Sequence, residues 1–195
     1  MEKNIIKIWL SIFLILVTGS IWAIKVNSNG VSNFPPTIQV AGQSLILNGS
    51  GIRKKLFFKV YELGLYVPKK DNDSNRILKM SGPKLVEIRM LRTIDAKTFV
   101  DALHDGLNDN NSVSTLKTLK IQIAKLESLM NQGEKAKKGD IIKFEFNPAS
   151  GTQLSINGNK LGVIDGGADF YSAILNIWLG PDSVDKGLKI DILNN

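Results

Sequence analysis

The sequence predicts an α+β domain, and three observations carry that prediction. Strand-type runs dominate from Thr37 to Arg92, with apolar residues recurring at every second position. A helical middle follows, in which Phe99, Leu103 and Leu107 and then Leu116, Leu119, Ile123, Leu126 and Met130 recur at spacings of three and four. Strand patterning returns at Ile141–Phe146 and in a hairpin around Asn157–Gly158, before a last apolar helix. Strands and helices grouped in this way are the pattern of an α+β fold.

Composition narrows the class. The chain has 195 residues, 43% hydrophobic and 22% charged, which suits one globular domain with its own core. Its formal charge of +7 falls by one if Glu2, Lys3 and Lys7 are removed, and the remaining lysines are scattered. Scattered lysine favours solubility and loose attraction to anionic surfaces or ligands. A nucleic-acid reader would need a basic stripe with interleaved aromatics, and none is visible, so no nucleic-acid partner is expected. The chain has no cysteine, which removes disulfides, thiol catalysis and thiolate metal sites together. His104 is the only histidine, so any triad or histidine metal site would rest on it alone. No metal or nucleotide motif appears, and no cofactor is expected.

The N-terminus, residues 1–23, reads as a secretory signal peptide. Lys3 and Lys7 precede the apolar run Ile8–Val17, and small residues follow at Thr18, Gly19, Ser20 and Ala23. Cleavage after Ser20 or Ala23 would deliver a periplasmic or secreted protein, with membrane contact only through the export signal. The rival reading is an uncleaved N-terminal anchor, since Ile21, Trp22 and Ile24 lengthen the apolar stretch. Residues 24–36, with Asn27, Ser28, Asn29, Gly30 and the Pro35–Pro36 pair, form a polar linker. The folded domain is expected over 37–195.

Within it, Thr37–Val40 and Ser44–Leu47 flank a turn at Ala41–Gly42–Gln43 and read as a hairpin. Within the next stretch, Leu47–Pro68, the rhythm of Ile52, Leu56, Phe58 and Val60 on one parity and Phe57, Tyr61 and Leu63 on the other reads as a long central strand with both faces partly covered and with Arg53 at its mouth. A short helix is expected around Asn75–Met80, stopped by Gly82–Pro83. Lys84–Arg92 alternates as a half-exposed strand, and Arg92 closes it as a rim arginine paired with a carboxylate or as a second anion contact. Asp95 caps a helix to about Leu107, with Thr98, Ala102 and Asp105 on a stripe at the edge of whatever cleft it borders, and His104 towards solvent. Ser112 or Ser114 starts a longer helix to about Met130. The helix over Asp169–Leu179 has apolar residues almost all round, and Val184–Leu193 packs back on the domain.

Arg53 reads either as a salt-bridged surface arginine or as a guanidinium that offers its donor fork to an anion. The preceding Gly49 and Gly51 lead into a strand, whereas a phosphate cradle must lead into a helix. The order G-x-G-x-R, apolar strand, LGLYVP, then MLRTIDAKTFVDAL, KKGDIIKFEF, GTQLSINGNKLG and ADFYSAILNIWLG resembles the chalcone isomerase-like superfamily. The resemblance runs from about Val40 to Leu193 and is strongest to an exported bacterial branch. It implies a chalcone isomerase-like open-faced β-sandwich, a large antiparallel sheet covered on one face by helices with an apolar cleft between.

Carried over position by position, the family's arginine matches Arg53. Its strand threonine falls on Tyr61, its helix tyrosine on Thr98, its asparagine on Asp105 and its last hydroxyl residue on Tyr171. Asp105 in place of an amide puts a carboxylate beside an anionic substrate, which speaks against true chalcone isomerase activity. Three readings follow from the resemblance. One is a non-catalytic binder of a small amphipathic or carboxylate ligand, held by Arg53, Tyr61, Thr98, Asp105 and Tyr171 with walls from Phe58, Phe99, Phe170 and Trp178. Another is a cofactor-free isomerase, an intramolecular lyase with Arg53 stabilising an enolate and Tyr61 or Tyr171 donating a proton. The third is a structural envelope protein.

Overall fold

In the computed structural model, residues 34–133 and 135–194 are described; the expected signal peptide and most of the expected linker lie outside them. The backbone of the fold is a seven-stranded sheet. Its strands are β1 (Thr37–Val40), β2 (Gln43–Lys55), β3 (Phe58–Val67), β4 (Lys84–Met90), β7 (Ile141–Asn147), β8 (Gly151–Ile156) and β9 (Asn159–Ile164). They lie in chain order and every pair is antiparallel. A second, two-stranded sheet pairs β5 (Ile94–Asp95) with β6 (Lys135–Ala136). Helices α1 (Ser74–Lys79), α2 (Ala96–Asn110), α3 (Val113–Thr118), α4 (Lys120–Met130), α5 (Gly167–Leu179) and α6 (Lys186–Leu193) complete the α+β architecture. No helix among the described residues is long and apolar enough to cross a membrane.

The period-two pattern builds the core directly. Leu63, Leu65 and Val67 of β3, Val86, Ile88 and Met90 of β4, and Ile142, Phe144 and Phe146 of β7 bury on one face. Helix α5 lies among them and buries Phe170, Tyr171, Ile174, Leu175, Ile177 and Trp178, as its nearly continuous apolar circumference requires. The opposite face carries a smaller cluster of Phe34, Val40, Leu45, Tyr66 and Leu85.

That second cluster moves the start of the fold. Phe34 meets Tyr66 edge to face at 6.4 Å, the Tyr66 hydroxyl donates to the Pro35 carbonyl at 3.0 Å, and Leu47 N–H donates to Pro36 O at 2.9 Å. The last three residues of the expected linker are therefore part of the domain. They also explain β4, which was expected to be half exposed and is buried except at Arg89. Alternation identifies the residues that share a face, but the neighbouring chain decides whether that face is wet.

The long central strand is a correction. The chain turns at Leu56–Phe57, with Lys55 opposite Phe58, so the strand expected through Ile52–Leu63 is a hairpin rather than one strand. Arg53 consequently lies near the hairpin end of β2, directly across from Tyr61 on β3. No turn-type residue marks this reversal, which is why the sequence pattern runs through it. The helix expected over Ser112–Met130 is also divided, at Leu119 (φ −93°, ψ 10°). Its start is as expected, since Ser112 Oγ accepts from Thr115 N–H at 3.1 Å. Asp95 sits at the cap position of α2, but its side chain makes no capping bond.

Gly49 and Gly51 have a packing role. A β-carbon at Gly49 would sit 2.6 Å from the Asp191 and Ile192 carbonyl oxygens, and one at Gly51 would sit 2.6 Å from Asp191 Cβ. Helix α6 lies directly on the β2 backbone there, an approach only glycine permits.

Candidate functional site

The site grows from the β2–β3 pair. A register shift between Arg53 and Lys54 breaks the regular ladder just as the strands approach their turn. The half-buried Arg53 extends over Tyr61, with its guanidinium carbon 5.6 Å from the ring centroid. Its Nε is wholly buried and meets no hydrogen-bond acceptor among the described residues. No carboxylate among those residues pairs with the guanidinium either. A buried donor on a permanently charged group is costly to leave unmade.

Two hollows meet at Arg53. The inner one, about 30 Å³, is enclosed by Tyr61, Ile88, Leu103, Phe144, Ile177 and Trp178. That is space for a water or two. The outer one is an open groove of about 630 Å³ between the β2–β3 hairpin, which offers Leu56, Phe58 and Val60, and helix α2, which offers Thr98, Ala102 and Asp105. Its volume is that of a small-molecule site. Arg53, Phe99 and Ala102 line both hollows and form the partition between them.

Tyr61 is the polar element of the inner wall. It is buried, and its Oη accepts a hydrogen bond from Trp178 Nε1 at 2.8 Å. Loss of solvent pushes its pKa up to about 12, opposed in part by Arg53 and by the Trp178 hydrogen bond and reinforced by Asp185. The phenol thus stays protonated at neutral pH. It is a hydrogen-bond or proton donor beside a fixed cation, never a base.

The structure brings Arg53 and Tyr61 together and sets the other sequence candidates apart. Thr98 and Asp105 are exposed on the α2 rim of the outer groove, on the stripe the helical spacing assigned to a cleft edge. Tyr171 lines neither Arg53 hollow: it is buried beneath α5, donates to Phe144 O at 3.0 Å and stacks on Phe146 at 5.1 Å. Phe170 is likewise fully buried away from both hollows, whereas Phe58, Phe99 and Trp178 line one or both. The inner-wall residues not singled out as such from the sequence are Ile88, Leu103, Phe144, Ile177 and Val184. Strand parity marked Ile88 and Phe144 as inward facing, and helical spacing did the same for Leu103 and Ile177, but neither pattern could distinguish cavity lining from solid core.

Charges around the groove are mixed. Lys135 lies 3.9 Å from Asp95, and Lys97 holds Asp101 at 2.8 Å. Asp105 makes no ion pair among the described residues. Arg92 was expected to pair with a carboxylate, but it lies over the Phe58 ring at 4.5 Å. His104 is on the solvent side of α2, where Nδ1 contacts Glu127 Oε1 at 2.6 Å. The arrangement is a groove with an apolar wall at Leu56, Phe58, Val60 and Phe99, a rim of mixed charge and a cation at its inner end, suited to an anion that carries an apolar tail.

Comparison with known proteins agrees with this architecture. Among curated proteins, none matches the sequence. Among solved structures, the fold is similar to that of a fatty-acid binding protein of Arabidopsis thaliana, at 18% identity and a TM-score of 0.66. The match covers 87% of this chain and 95% of the plant chain. The family model described as chalcone isomerase-like matches residues 26–194. With the whole described fold inside that match, the chain belongs to the chalcone isomerase-like family.

Proposed function

We propose that this protein is an exported, non-catalytic binder of an amphipathic carboxylate, anchored by Arg53 in the groove between the β2–β3 hairpin and α2. The observation that carries the reading is the buried Arg53 Nε, without an acceptor, at the junction of the two hollows. A carboxylate there would supply the missing acceptor in the fork geometry a guanidinium favours. Its apolar tail would lie against Phe58, Val60 and Phe99. The similar plant structure is named as a fatty-acid binding protein, which supports this ligand class. The signal-like pattern of Met1–Ala23 supports export to the periplasm or beyond.

A second reading rests on Tyr61. A phenol held protonated next to Arg53 is the donor that a cofactor-free isomerase would use on a developing enolate.

Titration of dansyl-labelled undecanoic acid into the full chain tests the first reading, with native mass spectrometry of protein from its own envelope fraction as a companion. Arg53→Met keeps the length of the side chain and removes the charge. It is expected to weaken binding by roughly tenfold to a hundredfold, the worth of charge-assisted hydrogen bonds. Equal affinity in wild type and Arg53→Met would sink the anchoring role.

A further inference from the structure

The tip of the β2–β3 hairpin is the most apolar exposed feature of the described fold. Leu56 is 84% exposed, Phe57 97% and Phe58 55%. Folding leaves Leu56 and Phe57 almost wholly in water and Phe58 about half so, an apolar exposure that the packing of the domain does not explain. The sequence around them is Arg53-Lys54-Lys55-Leu56-Phe57-Phe58-Lys59, so cations flank the apolar residues on both strands. Arg92 adds a further one over Phe58. Among the described residues, none of Lys54, Lys55, Lys59 and Arg92 is in an ion pair; the carboxylate at the base, Asp185, accepts from the Lys54 backbone N–H instead.

The backbone of the turn adds an independent observation. The Ala41–Gly42 and Asn157–Gly158 hairpins place small or polar residues in their left-handed positions, at φ 50° and 77° for Ala41 and Gly42 and φ 52° and 81° for Asn157 and Gly158. The β2–β3 turn places Leu56 at φ 56°. A branched, bulky side chain is poorly suited to that conformation. The tip thus carries a bulky apolar residue where local backbone chemistry favours a small or polar one.

We propose that this hairpin tip docks on an anionic lipid bilayer, with Leu56, Phe57 and Phe58 entering the interfacial layer and Lys54, Lys55, Lys59 and Arg92 facing the headgroups. An apolar wedge ringed by unpaired cations is the complement of that surface, because apolar burial and attraction to anionic headgroups act together. A second copy of the chain is the poorer occupant: a two-fold contact would bring the same cationic rims face to face. Docking has a geometric consequence. Lys55, Leu56, Phe58 and Arg92 also line the outer groove, so its mouth would open at the headgroup level, where an amphipathic acid partitions. This consequence rests on the proposed binding reading; the docking does not.

The absence of cysteine makes the test direct, because a single introduced cysteine takes a label at one site. Phe57→Cys in the full chain is labelled with the environment-sensitive fluorophore NBD. The control is Ser150→Cys, in the exposed β7–β8 turn at the opposite end of the sheet. With vesicles of phosphatidylcholine and phosphatidylglycerol, emission at residue 57 is expected to rise and shift to the blue, and emission at residue 150 to stay unchanged. Phosphatidylcholine alone should give a much weaker response. Adding Lys54→Gln, Lys55→Gln and Lys59→Gln to the Phe57-labelled chain should weaken partitioning by about a hundredfold, the product of three headgroup-level charges. Silence at residue 57, or an equal response at both labels, overturns the proposal. So does a lipid-free signal at residue 57 that grows with protein concentration, which would make a second copy the occupant. Arg53→Met, which tests the ligand reading, leaves the residue 57 response intact.

Discussion

Lys84 shows how far a single residue can depart from its sequence expectation. It opens β4, is only 1% exposed, and lies with Nζ 5.4 Å from the centroid of Phe146. No carboxylate among the described residues pairs with it, and burial lowers its pKa to about 8. In the unfolded chain the same amine titrates near 10.5. Between those values the unfolded state holds more protons, so this group makes the protein more stable as pH rises from about 8 towards 10.5. Lys84→Met is expected to remove that rise while keeping the packing on Phe146. Urea denaturation of both proteins across the interval checks it, and an undiminished slope in the variant would assign the rise to another group. Arg53 behaves differently: its charge and strand position were legible from the spacing, but its orientation over Tyr61 was not. A strand pattern gives the face of a side chain, and a bulge then re-aims it.

Helix α6 and the glycines beneath it act together as one element. The Gly49 and Gly51 spacing had no assigned role in the sequence because it led into a strand. The role emerged only when α6, far along the chain, was seen lying on the β2 backbone. Asn48 pins the same contact by donating to the Ile192 carbonyl at 2.8 Å. In Gly51→Ala the new methyl would meet Asp191 Cβ at 2.6 Å and Leu188 Cδ1 at 3.0 Å, so the helix must lift. A loss of about 1–3 kcal/mol is expected, the usual cost of overpacking. Hydrogen exchange should report faster opening of α6 than of α5. Unchanged exchange in α6 would mean that the contact is looser than the backbone geometry implies. The missed β2–β3 turn belongs to this scale too. Ala41–Gly42 and Asn157–Gly158 were found from their residues, whereas Leu56–Phe57 carries no turn chemistry at all.

For the molecule as a whole, the tyrosines offer a global test. The sequence has three, and each is buried with its pKa raised, chiefly by desolvation. Tyr61 moves from 10.0 to about 12, while Glu87 adds to the rise at Tyr66 and Glu145 to that at Tyr171. A raised folded-state pKa means that the folded state binds the proton more tightly. Stability from these groups is complete below pH 10 and is lost as pH rises through 10 towards 12. Tyrosinate absorbance is therefore expected to appear together with the loss of tertiary structure rather than before it. A phenol titrating reversibly near pH 10 in the folded protein would contradict the burial of the site. The three rings span both faces of the sheet, Tyr66 in the smaller cluster and Tyr61 and Tyr171 in the main core. Their joint release would report the sheet as one cooperative unit.

Periodicity and turn residues alone determined the α+β class, the two glycine-marked hairpins, the buried α5 and the rim stripe of α2. Each of these depends on local spacing or local backbone chemistry, which a linear pattern records. Tertiary structure decided the rest: which of the carried-over residues share a site, that Phe34–Pro36 cover the second face, and that Tyr171 lies outside the Arg53 hollows. These are contacts between residues far apart in the chain. Inward parity is the same for a residue in solid core and for one at a cavity wall, so only packing in three dimensions can separate them.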